Sequence, residues 1–374
     1  MHDPLIDGGE DLPPVPSLKL ADWQPRAQLE LPTTAVERPA APAIDVHNHL
    51  GRWLTDDWCA PDVGELIDLM DETALEAMVN LDGRWGGELD ANLDRYDRAH
   101  PGRFLTFCQL DWDLLGTSGG AAALERQLRE SADRGARGVK VWKNLGLSVR
   151  GRDGALVRPD APEVVDVLSA AGELGLPVLI HVADPKAFFD PLDHRNERFD
   201  ELSEQPQWSF ADRSRFPSFE ELLTSFERLL GSTPGTQYIG AHMGCVAEDL
   251  DRVEQMLDAA ANLSVDIAGR LAELGRQPRR FRRLLERHPD RVLFGTDAFP
   301  LHRSDLTTHF RFLETDDESF DYAPGSAVPP QGRWSISAAD LPRRLLPGVY
   351  ADNARRVLGL HGASGTEVAA QMLR

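Results

Sequence analysis

From residue 43 onward the chain alternates between short apolar runs rich in β-branched residues and longer amphipathic, charged stretches. Eight such runs occur, at residues 43–49, 76–82, 103–111, 137–143, 177–183, 236–242, 262–268 and 291–297. The runs predict buried strands, and the stretches between them, for example 61–73, 120–135 and 248–260, predict helices. Eight strand–helix units over roughly 250 residues predict an α/β fold, a TIM-like (β/α)8 barrel.

The segments outside this pattern suggest how the domain is bounded. Residues 1–42 are rich in proline and lack a clear period, so they predict an N-terminal extended arm, and residues 43–374 are left for the barrel domain. Two polar stretches, 184–233 and 298–347, predict long loop insertions at the C-terminal face of the barrel, where barrel active sites lie. A doubly wound open sheet is the alternative, but no Gly-rich phosphate turn follows the first run.

Charge and composition restrict the class of partner. The net charge of −21, without any basic tract, argues against nucleic acid and against an anionic membrane surface, and leaves a small-molecule substrate. The N-terminal residues lack the basic and apolar regions of a signal peptide, and no apolar run approaches the roughly 20 residues of a membrane span. Three widely spaced cysteines predict neither a disulfide framework nor a structural zinc site. We therefore expect a cytoplasmic enzyme, with a homodimer as a reasonable assembly.

Metal-competent side chains end four of the eight predicted strands. His47 and His49 end the first strand, His181 the fifth, His242 the sixth and Asp297 the eighth. Two histidines two residues apart on a strand share a face, about 7 Å apart, so both can reach one ion. A third imidazole and a carboxylate would complete a site that leaves a position open for water, whose pKa the ion lowers towards about 7. Asp297 could bind the metal and accept a proton, and His242 could orient or polarise a substrate oxygen.

The alternation of side chains along the first strand also predicts the surroundings of the histidine pair. Asp45 should lie on the same face as the two histidines, and Ile44 and Val46 should point away from it. We expect Asp45 to orient a ligand and not to bind the metal itself.

Lys140, in the fourth run, is predicted to face the barrel interior between two outward-facing valines. Three roles remain open for it: to pair with a substrate carboxylate, to carry a carbamate that bridges two metals, or to form an ion pair with Asp45 or another acid. Lys143, Arg84 and Trp53 follow strands and are further candidates for substrate contacts, since an arginine or lysine near the metal suits an anionic substrate. Other polar or aromatic residues near strand ends could line the pocket: Arg52, Trp85, Asp111, Asp184, His194, Arg195, Asp266, His302 and Arg303.

Four motifs, in this order and spacing, resemble the amidohydrolase superfamily: "DVHNHLG", "VLIHVAD", "IGAHMG" and "LFGTDAFP". The branch they resemble most is the amidohydrolase-related group (amidohydrolase family 2), which includes the aminocarboxymuconate-semialdehyde decarboxylase-like enzymes. The resemblance covers roughly residues 43–359.

The resemblance implies a distorted (β/α)8 barrel with a divalent metal at the C-terminal face. His47, His49 and His181 would be metal ligands, Asp297 a ligand and general base or acid, and His242 a catalytic residue. Zinc is the common ion of the family, and manganese and iron also occur. Binuclear members carry a carboxylated lysine or a glutamate on strand four, but "VWKNLGL" does not clearly match their pattern, so we expect one metal.

Two reactions fit these residues. The first is hydrolysis of a small amide, lactone or ester by a metal-activated water. The alternative is non-oxidative decarboxylation, a C–C lyase reaction, or hydration of a small unsaturated or aromatic carboxylic acid. A phosphoesterase with two or three metals would need more histidines than the 11 of this chain offer, and a non-catalytic metal-binding scaffold would not need Asp297 beside a full ligand set.

Overall fold

The computed structural model describes residues 17–19, 22–23 and 28–360. The chain divides into two units, residues 1–32 and residues 33–374. Much of the predicted arm (1–16, 20–21 and 24–27) lies outside the described residues, and the domain boundary at residue 42 stays a prediction.

Strands occur within all eight predicted runs. They are Ala43–Asn48 (β1), Leu75–Asn80 (β2), Phe104–Thr106 (β3), Val139–Val141 (β4), Val178–Ile180 (β5), Tyr238–Gly240 (β6), Leu263–Asp266 (β7) and Val292–Leu293 (β8). β1, β2 and β3 pair in parallel in that order, and so do β4 to β8. The predicted parallel α/β order is therefore confirmed.

Backbone hydrogen bonds join the two sheets at both seams. The Cys108 N–H donates to the Gly138 carbonyl at 2.9 Å, which links the end of β3 to β4. On the opposite side the Val46 N–H donates to the Phe294 carbonyl at 3.1 Å, and the Asp297 N–H donates to the His47 carbonyl at 2.9 Å. These bonds close the eight strands into a ring, the predicted TIM barrel, and an open doubly wound sheet does not describe it.

Eleven α-helices and one left-handed turn, labelled α7, accompany the strands in the described part of the chain. They are Val63–Glu72 (α1), Gly86–Leu93 (α2), Gly120–Arg134 (α3), Pro162–Glu173 (α4), Phe199–Glu204 (α5), Phe219–Ser232 (α6), Ala241–Cys245 (α7), Leu250–Ala259 (α8), Leu271–Leu274 (α9), Pro278–Arg287 (α10), Arg303–Glu314 (α11) and Asn353–Val357 (α12). The sequence contains their start signals: the Asp62 carboxylate caps α1, and Ser218 with Glu221 forms a capping box at α6. Among these helices none is long and apolar enough to cross a membrane.

The two stretches predicted as loop insertions contain helices as well as loops. α5 and α6 lie within residues 184–233, and α11 lies within residues 298–347. The apolar residues of α6 recur at helical spacing and are buried, which makes it an ordinary packed helix. The remaining parts, before α6 and after α11, are the irregular segments on the strand-end side of the barrel.

Apolar side chains from six strands and from the segments that follow them form one cluster inside the ring, which helix α12 closes at one end. Ile44 and Val46 belong to this cluster, so they face the barrel interior, and the predicted alternation that places them on the face opposite the histidines is wrong. The register of β1 against β2 shifts between Asp45 and Asn48, and the Asp45 carboxylate accepts the backbone N–H of His47 at 3.0 Å. This local irregularity breaks the strict alternation of the strand and lets His47 reach the interior after two inward-facing apolar residues.

Candidate metal centre

The histidine pair of β1 is buried at the end of the barrel, and an acid holds each ring. His47 Nδ1 lies 2.9 Å from Asp266 Oδ2, and His49 Nδ1 lies 2.7 Å from Asp82 Oδ1. A carboxylate can only accept in such a bond, so each ring carries its proton on Nδ1. The Nε2 atoms of both rings are therefore left with free lone pairs.

His242 and His181 are also each held through one ring nitrogen. His242 Nδ1 lies 2.7 Å from the Ala268 carbonyl oxygen, and His181 Nε2 lies 3.1 Å from the Ala183 carbonyl oxygen. The His242 ring centroid lies 4.8 Å from that of His47 and 4.6 Å from that of His181. Three strands thus bring their terminal histidines together, with Nε2 of His242 and Nδ1 of His181 free to act as ligands or proton acceptors.

Burial keeps the imidazoles of His47, His181 and His242 uncharged. It lowers the pKa of His47 and His242 well below the ordinary 6.5, and the nearby Lys140 and Arg270 respectively add to the effect. Burial also lowers the pKa of His181 to about 4. A neutral imidazole is the form that binds a metal, so the rings need lose no proton before they could act as ligands.

Asp297 lies close to three of the four histidines. Its Oδ1 is 3.6 Å from His47 Nε2 and 3.5 Å from His49 Nε2, and its Oδ2 is 3.8 Å from His242 Nε2. Oδ1 is buried and accepts no hydrogen bond from any residue that the structure describes. A buried carboxylate oxygen without a donor is costly, and a cation facing both lone-pair nitrogens would satisfy it.

The donor atoms therefore fit a divalent metal ion. Two groups of three ligand atoms lie within 4.8 Å of one another: His47, His49 and Asp297, and His47, His242 and Asp266. Both contain imidazole nitrogens and a carboxylate oxygen, the donor set that zinc, manganese and iron accept. His181 is close to this set through His242 but belongs to neither group.

Two buried aspartates stabilise the site from behind. Asp45 accepts Thr296 Oγ1 at 2.5 Å and the Thr296 N–H at 3.1 Å, and so fixes the segment that carries Asp297. Asp266 accepts the His242 N–H at 2.7 Å as well as the His47 ring. Burial raises the pKa of Asp45 to about 6 and also raises the pKa of Asp266. Asp45 makes the orienting contacts expected of it and contacts no lone-pair nitrogen.

Lys140 is fully buried at the base of this cluster, with Nζ 3.5 Å from His47 Nε2. Burial lowers its pKa to about 8. Within the described residues it has no carboxylate within 4.0 Å, so the ion pair with Asp45 or another acid, one of its three open roles, is absent. The reason is that Thr296, His47 and Asn48 already use the Asp45 oxygens.

The other three predicted substrate contacts lie further from the histidines. Lys143 Nζ lies 2.5 Å from Asp184 Oδ2, so its charge is already neutralised. The Arg84 guanidinium lies over the rings of Trp85, at 4.0 Å, and Trp53, at 5.0 Å. Trp53 in turn contacts Trp142 edge to face at 5.1 Å. Arg84 is thus separated from the metal-competent atoms by two tryptophan rings.

Aromatic rings form one wall of the site. His49 contacts Trp142 at a centroid distance of 5.4 Å and Phe299 at 5.2 Å. A cavity of about 360 Å³ opens beside His49 and Phe299, between the loops after β1 and β8. Most of its lining side chains are apolar: Leu50, Ala60, Pro61, Leu66, Leu69, Phe299, Pro300 and Leu301. A planar or apolar ligand would therefore find room next to His49.

The amidohydrolase family model matches residues 44–360, which is most of the chain. The chain belongs to the amidohydrolase family. No curated protein matches it by sequence.

Several solved structures have a fold similar to that of this chain. The 2,6-dihydroxybenzoate decarboxylase from Rhizobium is 18% identical with a TM-score of 0.51, over 86% of this chain and 100% of that one. The 5-carboxyvanillate decarboxylase from Sphingomonas paucimobilis is 14% identical, TM-score 0.51, over 86% and 99%. The dihydroxybenzoic acid decarboxylase from Polaromonas sp. JS666, with bound manganese and the inhibitor 2-nitroresorcinol, is 18% identical, TM-score 0.52, over 86% and 98%. At these identities the likeness establishes the fold alone.

The sequence did not indicate three residues of this amidohydrolase site: Asp82, Arg270 and Phe299. Asp82 ends the second apolar run, so the strand-end argument that selected the histidines and Asp297 applies to it as well. Arg270 follows β7 by four residues and is 8% exposed beside the His242 segment, and no spacing in the sequence distinguishes it from other loop arginines.

Proposed function

We propose that this amidohydrolase is a metal-dependent decarboxylase of a small aromatic or unsaturated carboxylic acid. The observation that carries the proposal is the aromatic wall of Trp142 and Phe299, which lies against His49 within one cluster of lone-pair nitrogens and an unpartnered carboxylate oxygen. A flat ring can stack there while its carboxylate reaches the cation site. The three decarboxylases named above have the same fold, which supports this reading over hydrolysis.

The proposed ligands of the cation are His47 Nε2, His49 Nε2 and Asp297 Oδ1, with His181 as the fourth. When bound, a divalent ion would supply a Lewis acid that orients a substrate oxygen and stabilises negative charge. We propose a single ion because Lys140 contacts only His47 among the candidate ligands and so does not lie between two groups of ligands. Zinc is our prediction from the family resemblance, and manganese is the ion in the Polaromonas structure.

His242 and the Oδ2 atom of Asp297 are the proposed proton carriers. His242 Nε2 is free because Nδ1 is bonded to Ala268, and Asp297 Oδ2 lies 3.8 Å from it. In the reaction the protonated carboxyl of Asp297 gives its proton to the carbon that bears the substrate carboxylate. The bond between that carbon and the carboxylate then breaks, carbon dioxide leaves, and the bond electrons remain with the ring. His242 returns a proton from solvent to Asp297.

Of the predicted substrate contacts, Lys140 has the best-placed charge. Its ammonium lies at the base of the site with no acid within 4.0 Å in the described chain. A substrate anion above His47 would be attracted to it through a medium of low dielectric constant. Trp53 and Arg84 lie behind Trp142 and would act on the outer edge of a ring, and Lys143 would act only after release from Asp184.

Hydrolysis of an amide, lactone or ester is the second candidate, because the same Asp297 and His242 pair could accept the proton of an attacking water. The two reactions differ in what is added to the reacting carbon of the substrate. Hydrolysis adds water to a carbonyl, whereas decarboxylation adds only a proton and releases carbon dioxide.

The test uses full-length protein loaded with zinc or manganese and a panel of acids, amides, lactones and esters in deuterated water. The acids include 2,6-dihydroxybenzoate and 5-carboxyvanillate. We expect carbon dioxide and a product with deuterium at the carbon that lost the carboxylate. Stripping the metal with a chelator should abolish the reaction, and adding the ion back should restore it. Hydrolytic products from the amides or esters, without carbon dioxide from any acid, would overturn the proposal in favour of hydrolysis.

The remaining expectations stay predictions. They are a small-molecule substrate that carries a carboxylate, no nucleic-acid or membrane partner, a cytoplasmic location and a homodimer.

A further inference from the structure

Arg270 lies on the loop after β7, in the segment that encloses the proton carriers. An added Cβ at its neighbour Gly269 would lie 3.6 Å from Asp297 Oδ2 and 3.7 Å from His242 Nδ1. The carbonyl of Ala268 holds the His242 ring. The backbone of residues 268–270 therefore lies directly against the reacting end of the site, and Arg270 extends from it.

The charge of Arg270 is not neutralised by an acid. Its Nη1 donates to the Gly269 carbonyl at 2.6 Å, and among the described residues no carboxylate lies within 4.0 Å of its guanidinium. Three acids interact with Arg270 electrostatically from beyond that distance: Asp297 of the site, Glu201, which pairs with Arg198 at 2.6 Å, and Glu248, which accepts the Lys186 N–H at 2.9 Å. A guanidinium that is only 8% exposed and lacks an acid is unusual, because burying a charge costs free energy unless a partner compensates it.

Other arginines from the same part of the chain have acid partners. Arg198 is paired with Glu201 and Glu273, and Arg276, six residues after Arg270, lies 3.0 Å from Glu197. Of these three arginines, Arg270 is therefore the one without an acid partner, and it lies next to the proton carriers. A planar guanidinium with free N–H donors matches a carboxylate in shape and charge.

We infer that Arg270 binds the carboxylate of the substrate and so selects anionic over neutral ligands. The inference rests on the proposed function for the class of substrate, a small carboxylic acid, but not for the reaction. Lys140 at the base and Arg270 at the side would then approach the anion from two directions. Lys143 and Arg198 would contribute little, since each is paired with an acid, and Arg84 lies over the rings of Trp53 and Trp85.

The experiment compares the metal-loaded wild type with R270M, R270K and the matched control R276M. The probes are 2,6-dihydroxybenzoate and resorcinol, which is the same ring without the carboxylate. Binding is measured by calorimetry or by quenching of tryptophan fluorescence, and metal content and thermal unfolding are recorded for each variant. We expect R270M to weaken binding of the carboxylate roughly 10- to 100-fold, as for a lost hydrogen bond to a charged group, and to change resorcinol binding less than about twofold.

R270K should lie between R270M and the wild type, and R276M should bind both probes as the wild type does. The inference fails if R270M binds the carboxylate as tightly as the wild type, if resorcinol binding falls by the same factor, or if the wild type does not bind the carboxylate. R270-dependent binding without release of carbon dioxide would support the inference while the proposed decarboxylation failed. Carbon dioxide release with unchanged carboxylate binding in R270M would support the proposed decarboxylation and overturn the inference about Arg270.

Discussion

Replacing Asp82 by Asn should weaken metal binding while leaving the fold intact. The Asp82 carboxylate is fully buried, and the one hydrogen bond described for it is the 2.7 Å contact with His49 Nδ1. Asp266, its counterpart behind His47, also accepts the backbone N–H groups of His242 and Ala268. Asp82 is therefore the cleaner site for the experiment, since its replacement changes the orientation and basicity of one ring only.

The expected magnitude follows from that single bond. A short charge-assisted hydrogen bond contributes about 1.5–3 kcal/mol. Loss of an acid that orients a metal-binding histidine typically costs 10- to 100-fold in affinity, about 1.4–2.8 kcal/mol. The two ranges agree, and burial means that solvent screens the interaction little. We expect the dissociation constant of D82N for zinc or manganese to rise roughly 10- to 100-fold.

The assay is a competition titration of metal-stripped protein against a fluorescent chelator at fixed pH, with the number of ions per chain measured by elemental analysis. The control is D97N, because Asp97 bonds to Thr106 through its carboxylate at 2.9 and 2.5 Å and contacts none of the histidines. D97N should bind metal as the wild type does. If D82N stays within about twofold of the wild type, or if D97N loses affinity equally, His49 is not a metal ligand positioned by Asp82.

Three further predictions concern other parts of the chain. H242N should lower the turnover number roughly 10²- to 10⁴-fold with unchanged metal content, because it removes a proton carrier; unchanged turnover would contradict this. D317N should lower the free energy of unfolding by about 1–3 kcal/mol at pH 7, because Asp317 accepts two hydrogen bonds from Thr34 and one from Arg311. Burial opposes ionisation of Asp317, but these bonds outweigh it and lower its pKa below 3.8, so the deficit should persist above that pH and vanish below it in denaturant titrations. K140M should keep one ion per chain by elemental analysis; loss of one of two ions would establish a carbamate bridge.

The barrel could be predicted from the sequence because its signal is local. Each strand is an apolar run whose side chains are buried on both faces, and helices such as α1, α6 and α8 combine an apolar period with a side-chain cap. The irregularity of β1 could not be predicted, because it depends on Asp45 bonding to Thr296, 251 residues away. Periodicity likewise could not indicate which part of a long polar stretch would become α6 or α11.

The site could be predicted only in part from the sequence. Strand-end position brought out the four histidines and Asp297, since the carboxyl ends of parallel strands meet at one face. The sequence could not show that Arg270 is a better candidate than Lys143 for binding an anion. Lys143 is paired with Asp184 at 2.5 Å, whereas Arg270 has no acid within 4.0 Å among the described residues.

What makes the histidines a candidate metal centre is the state of their second nitrogen. One nitrogen of each ring is hydrogen-bonded to an oxygen of another residue: Asp266 for His47, Asp82 for His49, Ala268 for His242 and Ala183 for His181. Acceptors of this kind fix the proton on the bonded nitrogen and leave the other as a lone pair. The second nitrogens of His47, His49 and His242 lie 3.5 to 3.8 Å from an Asp297 oxygen, so with neutral rings and an ionised Asp297 no proton lies between them. Two acceptors directed at each other repel unless a cation lies between them, which is why this arrangement favours a metal over a hydrogen-bonded core.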